Sequence, residues 1–324
     1  MMPSCTSSVI RAMTDPWFLV AGPRAGLRQV EAWSGYPLQF AGQRRFPWAE
    51  QMARQLQTAL SELALSPAET LVGVYLPTDA SPCDAENRLF VNPAECIPKG
   101  VTSLRFERGA GPPPPPPVPI STVEGHVYYC RYRPGGTWES WEPAELLARW
   151  RRVPRLLSDD GSCRPVWLAI KTAAAAGRIE TFDSAVQDGT PFGLRIVVHA
   201  TGQGPRSATA VSENVIDGAV AAFHARASNP ALIASALAPR MPVISQTGLE
   251  ELVAADPPRP LSSASPFIVK GTYIQISPCD ERCYAGDVEI RPGCTRTPGG
   301  TERRAICPEE TDRITLTDRM LPRK

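Results

Sequence analysis

Three carboxylates, Asp79, Asp84 and Glu86, fall within eight residues of the stretch T-L-V-G-V-Y-L-P-T-D-A-S-P-C-D-A-E-N, Thr70 to Asn87, and Asn87 follows them directly. A hard divalent cation such as Mg²⁺ takes oxygen ligands that converge from a rigid element, and its Lewis acidity is then available to a bound substrate. Asp84 and Glu86 are the candidate metal ligands, and Asp84, Glu86 and Asn87 the candidate catalytic set. The same composition also suits a solvated turn, because Asp, Asn, Pro and Ser are residues that turns select. The element that must position these groups is the run before them. Leu71, Val72, Val74, Tyr75 and Leu76, bounded by Pro67 and Pro77, read as a buried strand.

A second acidic group occupies a similar place further on. F-G-L-R-I-V-V-H-A, Phe192 to Ala200, is a stronger strand pattern than P-V-W-L-A-I-K before it; past a polar loop, Ser212 to Ala227 reads as a helix capped by Ser212 that carries Glu213, Asn214 and Asp217. Glu-Asn after a strand and a loop thus occurs twice, at Glu86-Asn87 and at Glu213-Asn214, which points to an internal duplication. The most basic local cluster is E-P-A-E-L-L-A-R-W-R-R-V-P-R-L-L, Glu142 to Leu157, read as a helix with Arg149, Arg151, Arg152 and Arg155 around Trp150. It is the place where phosphate contacts form at least cost, or else a solvated helix face with Trp150 turned inward. The 34 basic and 33 acidic residues give a net charge of +1, so no global field draws the chain to a polyanion.

Proline marks the sharpest compositional boundary. Pro112 to Pro117 are six in a row, and such a run lacks amide donors and favours the extended polyproline II form. It reads as a semi-rigid spacer between two parts, or as a docking segment for a protein with an SH3-like or WW-like aromatic groove. The division expected is 1–108, a spacer at 109–120, 121–256, and a β-rich tail at 257–324. The clearest helix of the first half lies at Pro47 to Leu63, with Trp48, Met52, Leu56, Ala59, Leu60 and Leu63 on one face. Pro165 to Lys171 reads as a strand; in the tail, Phe267 to Ser277 and Gly286 to Arg291 read as strands of one hairpin. The fold class that follows is α+β, two similar-sized parts with short mixed sheets covered by helices.

Cys279, Cys283, Cys294 and Cys307 lack the two tight pairs of a structural zinc site and read as loop thiols. His126, His199 and His224 are scattered over predicted strands and a helix and build no site. No run approaches the ~18 apolar residues of a membrane span. An odd number of cysteines, nine, and an N-terminus without an apolar core predict a cytoplasmic chain with mostly free thiols.

The first part resembles the RusA-type Holliday-junction resolvases. The order of Trp17 to Gly22 as a strand, a Gly-Pro loop, the helix from Pro47, the strand Leu71 to Leu76 and then D-A-E-N at Asp84 to Asn87 is similar to that family's strand, loop, helix, strand and D-x-D-N. The resemblance implies Asp84 as the first metal-binding carboxylate, Glu86 in place of the second, and Asn87 as the motif's asparagine. The lysine expected three residues past that asparagine is Phe90, the helix after it is cut short by Asn92 and Pro93, and none of the later aspartates matches the family's pattern convincingly. Resolvases of this type act as two-fold dimers, which a duplicated chain would imitate within one polypeptide. The function expected is therefore a nuclease-related protein that binds branched or duplex DNA, Mg-dependent or catalytically degenerate. The alternative is a non-enzymatic interaction module that uses the proline segment and the arginine-rich helix.

Overall fold

The short apolar runs resolve, in a computed structural model, into strands and helices of two units. The structure describes residues 16–39, 43–79, 83–143, 145–150, 153, 162–182, 190–200, 207–257, 260–271, 273–292 and 312–316. One unit lies within Met1–Trp141 and the other within Glu142–Met320.

In the first unit, β1 (Phe18–Ala21) and β2 (Val30–Ser34) pair antiparallel. Helix α1 (Pro47–Ser61) follows, with Pro47 in its first turn, where the missing amide costs nothing. Its inward face is Ala49, Met52, Ala53, Leu56, Ala59 and Leu60, the spacing expected of a helix with one buried side. Arg28 closes the far end, donating from Nε and Nη2 to the carbonyl of Leu63 (3.0 and 2.7 Å) and from Nη2 to that of Ala64 (2.9 Å). Its other contact is a two-pronged ion pair with Glu69, at 2.7 and 3.0 Å. Then come β3 (Leu71–Pro77), β4 (Ser103–Arg108) and β5 (Tyr128–Pro134). The strands lie in the order β1-β2-β5-β3-β4, antiparallel except for the last pair, β3 and β4, which is parallel.

The second unit contains β6 (Glu145–Trp150), α2 (Arg164–Ala175), β7 (Ile179–Thr181), β8 (Phe192–Ala200), α3 (Ser212–Ala222), α4 (Pro230–Leu237), α5 (Gln246–Ala254), the hairpin β9 (Phe267–Lys270) and β10 (Tyr273–Ile276), β11 (Cys283–Pro292) and β12 (Asp312–Leu316). Its sheet runs β7-β6-β12-β8-β11, again antiparallel up to a last parallel pair, β8 and β11. Strand order and strand directions therefore agree between the units. They differ in the outer pair: the chain enters the first sheet at its edge strand β1, and the second at the inner strand β6.

The α+β class with mixed sheets is what the sequence predicts, whereas several segments differ from expectation. The proline run lies between β4 and β5, inside the first unit, because β5 returns to pair with both β2 and β3. The boundary falls after Trp141 instead of at 109–120, and the expected tail is not separate, since β11 pairs with β8. Glu145 to Trp150 is a strand and not a helix, held by ladders on both sides, to β7 and β12. Pro165 to Lys171 is helical, since Val166, Trp167, Ile170 and Ala173 are buried at helical spacing. The hairpin expected across residues 279–285 forms earlier, between β9 and β10, turning at Gly271 with φ +63°. Among the described residues, no helix is long and apolar enough to cross a membrane.

Candidate functional site

Strand β3 delivers the chain at Pro77, and Asp79 then accepts a hydrogen bond from the Tyr128 hydroxyl at 3.2 Å. Asp84 stands at the N-terminal end of a short helical turn and caps it. The Asn87 amide donates to Asp84 Oδ1 at 3.1 Å, and the Asn87 side-chain Nδ2 donates to Asp84 Oδ2. The turn then widens: the Asn92 amide reaches the carbonyl of Asn87 at 2.8 Å, closing a π turn over Asn87–Val91. This geometry drives Leu89 and Phe90 down onto β3, where Gly73 makes room. A Cβ at Gly73 would lie 3.0 Å from Phe90 Cζ and 3.2 Å from both Leu89 methyls. The Tyr132 hydroxyl donates to the carbonyl of Leu89 at 3.0 Å, and its ring meets Phe90 edge-on at 6.2 Å. The residue at the lysine position of the resembled motif is thus a core residue, fully buried.

Asp84, Glu86 and Asn87 lie on this one turn, and the hydrogen bonds join Asp84 to Asn87. Glu86 is 1% exposed. The Asn87 Oδ1 atom is enclosed without a hydrogen-bond partner. Around them stand Arg88 and Arg108, whose charges oppose the upward push that burial gives the Cys83 thiol, while Asp79 and Asp84 add to it. Burial also pushes Cys130 up to about 12, and Tyr128 to about 12 with Asp79 contributing. These thiols and the phenol are protonated at neutral pH and are not nucleophiles there. A Mg²⁺ shell needs several open, converging oxygens. Both Asp84 oxygens accept from Asn87 and Glu86 is closed off, so the donor set in this geometry fits a helix cap and not such a shell. Among the described residues, no group of three or more His, Cys, Asp or Glu side chains is placed to hold a metal ion.

In the second unit the acids ride on a full helix. Ser212 is not the cap; Val211 occupies that position and Ser212 is buried in the first turn. Glu213 and Asn214 are half-buried in that turn, and burial raises the Glu213 carboxyl above its usual value. Asp217 lies one turn on. Cys163, at the start of α2, is pushed up to about 12, first by burial and then by the charge of Asp217, with Glu213 adding a smaller share. The two helices touch closely at Gly218, where a Cβ would meet Val166 Cβ at 2.5 Å and the carbonyl oxygen of Cys163 at 2.6 Å. Asp217 and, more weakly, Glu213 therefore act on the N-terminal end of α2 in their own unit, and Asn214 is half-buried beside Glu213 in the same helical turn. No family model, curated protein or solved structure matches this chain.

Of the arginines picked out by sequence, Arg149 lies on β6 and is matched by Glu180, to which Nε donates at 2.9 Å and Nη2 also donates; its guanidinium sits 5.7 Å from the Phe182 ring. Arg151, Arg152 and Arg155 lie outside the described residues, as do Cys294 and Cys307. None of the described cysteines is in a disulfide. Cys279 contributes its amide, not its thiol, to a local pin: the amide donates to His224 Nε2 at 3.1 Å, which leaves Nδ1 to donate to the carbonyl of Ala264 at 3.1 Å.

Two polar groups with strong structural roles carry no local sequence signal. Glu107, fully buried on β4, accepts from three successive amides, those of Glu139 (2.7 Å), Ser140 (2.9 Å) and Trp141 (3.1 Å). Arg45 donates to the carbonyls of Gln39 (2.8 Å) and Asn92 (2.6 Å) and pairs with Glu95, fixing the chain just past the π turn. Apart from Gln39, six positions from Arg45, their partners are 32 to 50 positions away, beyond the reach of any periodicity.

Proposed function

We propose that the chain is a tandem, catalytically degenerate nuclease-related protein that binds branched or duplex DNA without cutting it. One observation carries the reading. In both units a Glu-Asn pair lies at the start of a helical segment that follows the strand with a parallel neighbour on one side and an antiparallel neighbour on the other, β3 in one and β8 in the other. Matching strand orders and a repeated acidic turn are what duplication of one unit leaves behind. The engagement of both Asp84 oxygens in capping the turn at Asn87, the burial of Glu86 and the core role of Phe90 support loss of the cutting chemistry with retention of the scaffold.

The test is binding of the full chain to a four-way DNA junction and to a linear duplex, followed by fluorescence anisotropy from about 50 to about 200 mM salt, where counterion release makes arginine contacts steeply salt-dependent. The reading expects junction binding that falls with salt, no strand cleavage with millimolar Mg²⁺, and no Mg²⁺-dependent rise in melting temperature. No binding at the low-salt end would overturn the nucleic-acid part. Cleavage, or a Mg²⁺ shift in melting that D84N abolishes, would overturn the degenerate part, because a cation that binds only the folded state stabilises it by mass action.

A further inference from the structure

We propose that Pro112 to Pro117 is a preformed docking ridge for a protein domain whose aromatic-lined groove reads uncharged proline, of the WW kind. Six prolines in a row fix φ and remove every amide donor, which leaves polyproline II with three residues per turn. Burial along the run follows that period. Pro113 and Pro116 are half-buried, whereas Pro112, Pro114, Pro115 and Pro117 are exposed. One row of rings thus rests on the first unit and two rows, Pro112 with Pro115 and Pro114 with Pro117, face outward.

The ridge is tied down along its length. The Gly109 amide donates to the carbonyl of Tyr75 at 3.0 Å before it, the Trp33 indole donates to the carbonyl of Pro114 at 2.9 Å in its middle, and Ile120 packs with Trp33 and Tyr129 after it. A partner therefore meets a ligand already ordered, and binding loses little to ordering entropy. The exposed prolines offer rings for stacking and carbonyls for a partner's indole or phenol, the chemistry by which aromatic grooves hold such segments. Charge narrows the class. Gly109, Ala110 and Gly111 precede the run, and Val118, Pro119 and Ile120 follow it, so no charged side chain lies within three residues of it, and Arg108, the nearest basic residue, is four positions before Pro112. An SH3 groove that uses an acidic patch to hold a basic residue beside the prolines finds none in register. Val118, 47% exposed, extends the apolar strip instead.

The experiment titrates the full chain against a panel of purified WW domains and SH3 domains by biolayer interferometry, with a decaproline peptide as competitor. The proposal expects one or more WW domains to bind and to be displaced by excess decaproline. It expects the double variants P112A/P115A and P114A/P117A each to weaken binding by about tenfold, and P113A/P116A to change it by about twofold or less, because only the first two pairs offer free rings. Melting curves check that each variant folds, and decaproline displacement of the parent needs no variant at all. No WW domain binding at about 1 mM overturns the proposal. So does binding that decaproline fails to displace, binding that survives both outward-row variants, or binding by SH3 domains alone. DNA binding unchanged in the outward-row variants keeps this result separate from the proposed nucleic-acid function.

Discussion

The acidic turn after β3 and the one that opens α3 occupy the same position in sheets of the same strand order, yet they are built differently. In the first unit the carboxylate of Asp84 caps the turn, and Leu89 and Phe90 are driven onto Gly73. In the second, the helix that carries the acids starts at Val211 without a side-chain cap bond, Glu213 is half-buried in its first turn, and Asp217 faces the end of α2 that bears Cys163. The crossover explains the difference. From β3 to β4 the chain returns through one π turn and a single 3₁₀ turn, so it must reverse at once, and a side-chain cap makes that possible. From β8 to β11 it has room for three helices and a hairpin, and the first helix is held by packing instead.

The largest expected effect separates the two glycines on which these turns rest. G218A places a methyl against a backbone oxygen and a branched Cβ, neither of which can yield, and should cost about 3 kcal/mol in denaturant unfolding, against about 1 kcal/mol for G73A, whose neighbours are the tips of flexible side chains. Equal costs would mean that the short turn is as rigid as the helix pair. Next, D84A should cost about 1 kcal/mol and D84N much less, because asparagine also caps. No loss in D84A would show that the cap is not what shapes the turn.

Two carboxylates give the units opposite responses to acid. Glu69 in the first unit is held down to about 2, first by its bonds to Arg28, so its stabilising share is present above the ordinary value of 4.5 and is lost as pH falls toward 2. E69Q should therefore be less stable than the parent at pH 6, with the gap closing in acid. Glu213 is raised by burial, so its neutral form suits the folded state; that share is full below 4.5 and is lost as pH rises through the folded value. E213Q should match the parent below 4.5 and exceed it at pH 7, and melting curves at pH 4, 6 and 7 decide both. A third response, at alkaline pH, concerns Lys171, buried on α2 and bonded to the carbonyl of Ala255 at 2.7 Å, which burial lowers to about 8. Between about 8 and 10.5 the unfolded chain holds a proton there that the folded one has released, so stability should rise with pH relative to K171M. A flat difference across that window would count against this burial.

The elements legible in the sequence are those with an unambiguous period. α1 has one apolar face, and β3 and β8 are continuous β-branched and aromatic runs; all three form where expected. Two misreadings have one cause. Glu145 to Trp150 is made of good helix formers, and Val166 to Ile170 contains β-branched residues, but tertiary pairing overrides propensity in both. The position of β5 was out of reach as well, because nothing local says that a strand following six prolines inserts between two earlier ones. At the site, the association of Asp84, Glu86 and Asn87 was legible because it is local. The descent of Phe90 into the core depends on Gly73 and Tyr132, contacts that only the folded chain creates.

Glu107 also settles where the first unit can be cut off from the rest. Its last strand ends at Pro134, so a stop codon placed there would keep every strand of that sheet. It would also strand a fully buried carboxylate without the three amides that hold it, those of Glu139, Ser140 and Trp141. A shortened gene for this unit must reach at least Trp141 to encode a self-sufficient protein, and the yield of soluble product across a ladder of truncations should step up between 138 and 141 and not at the end of the sheet.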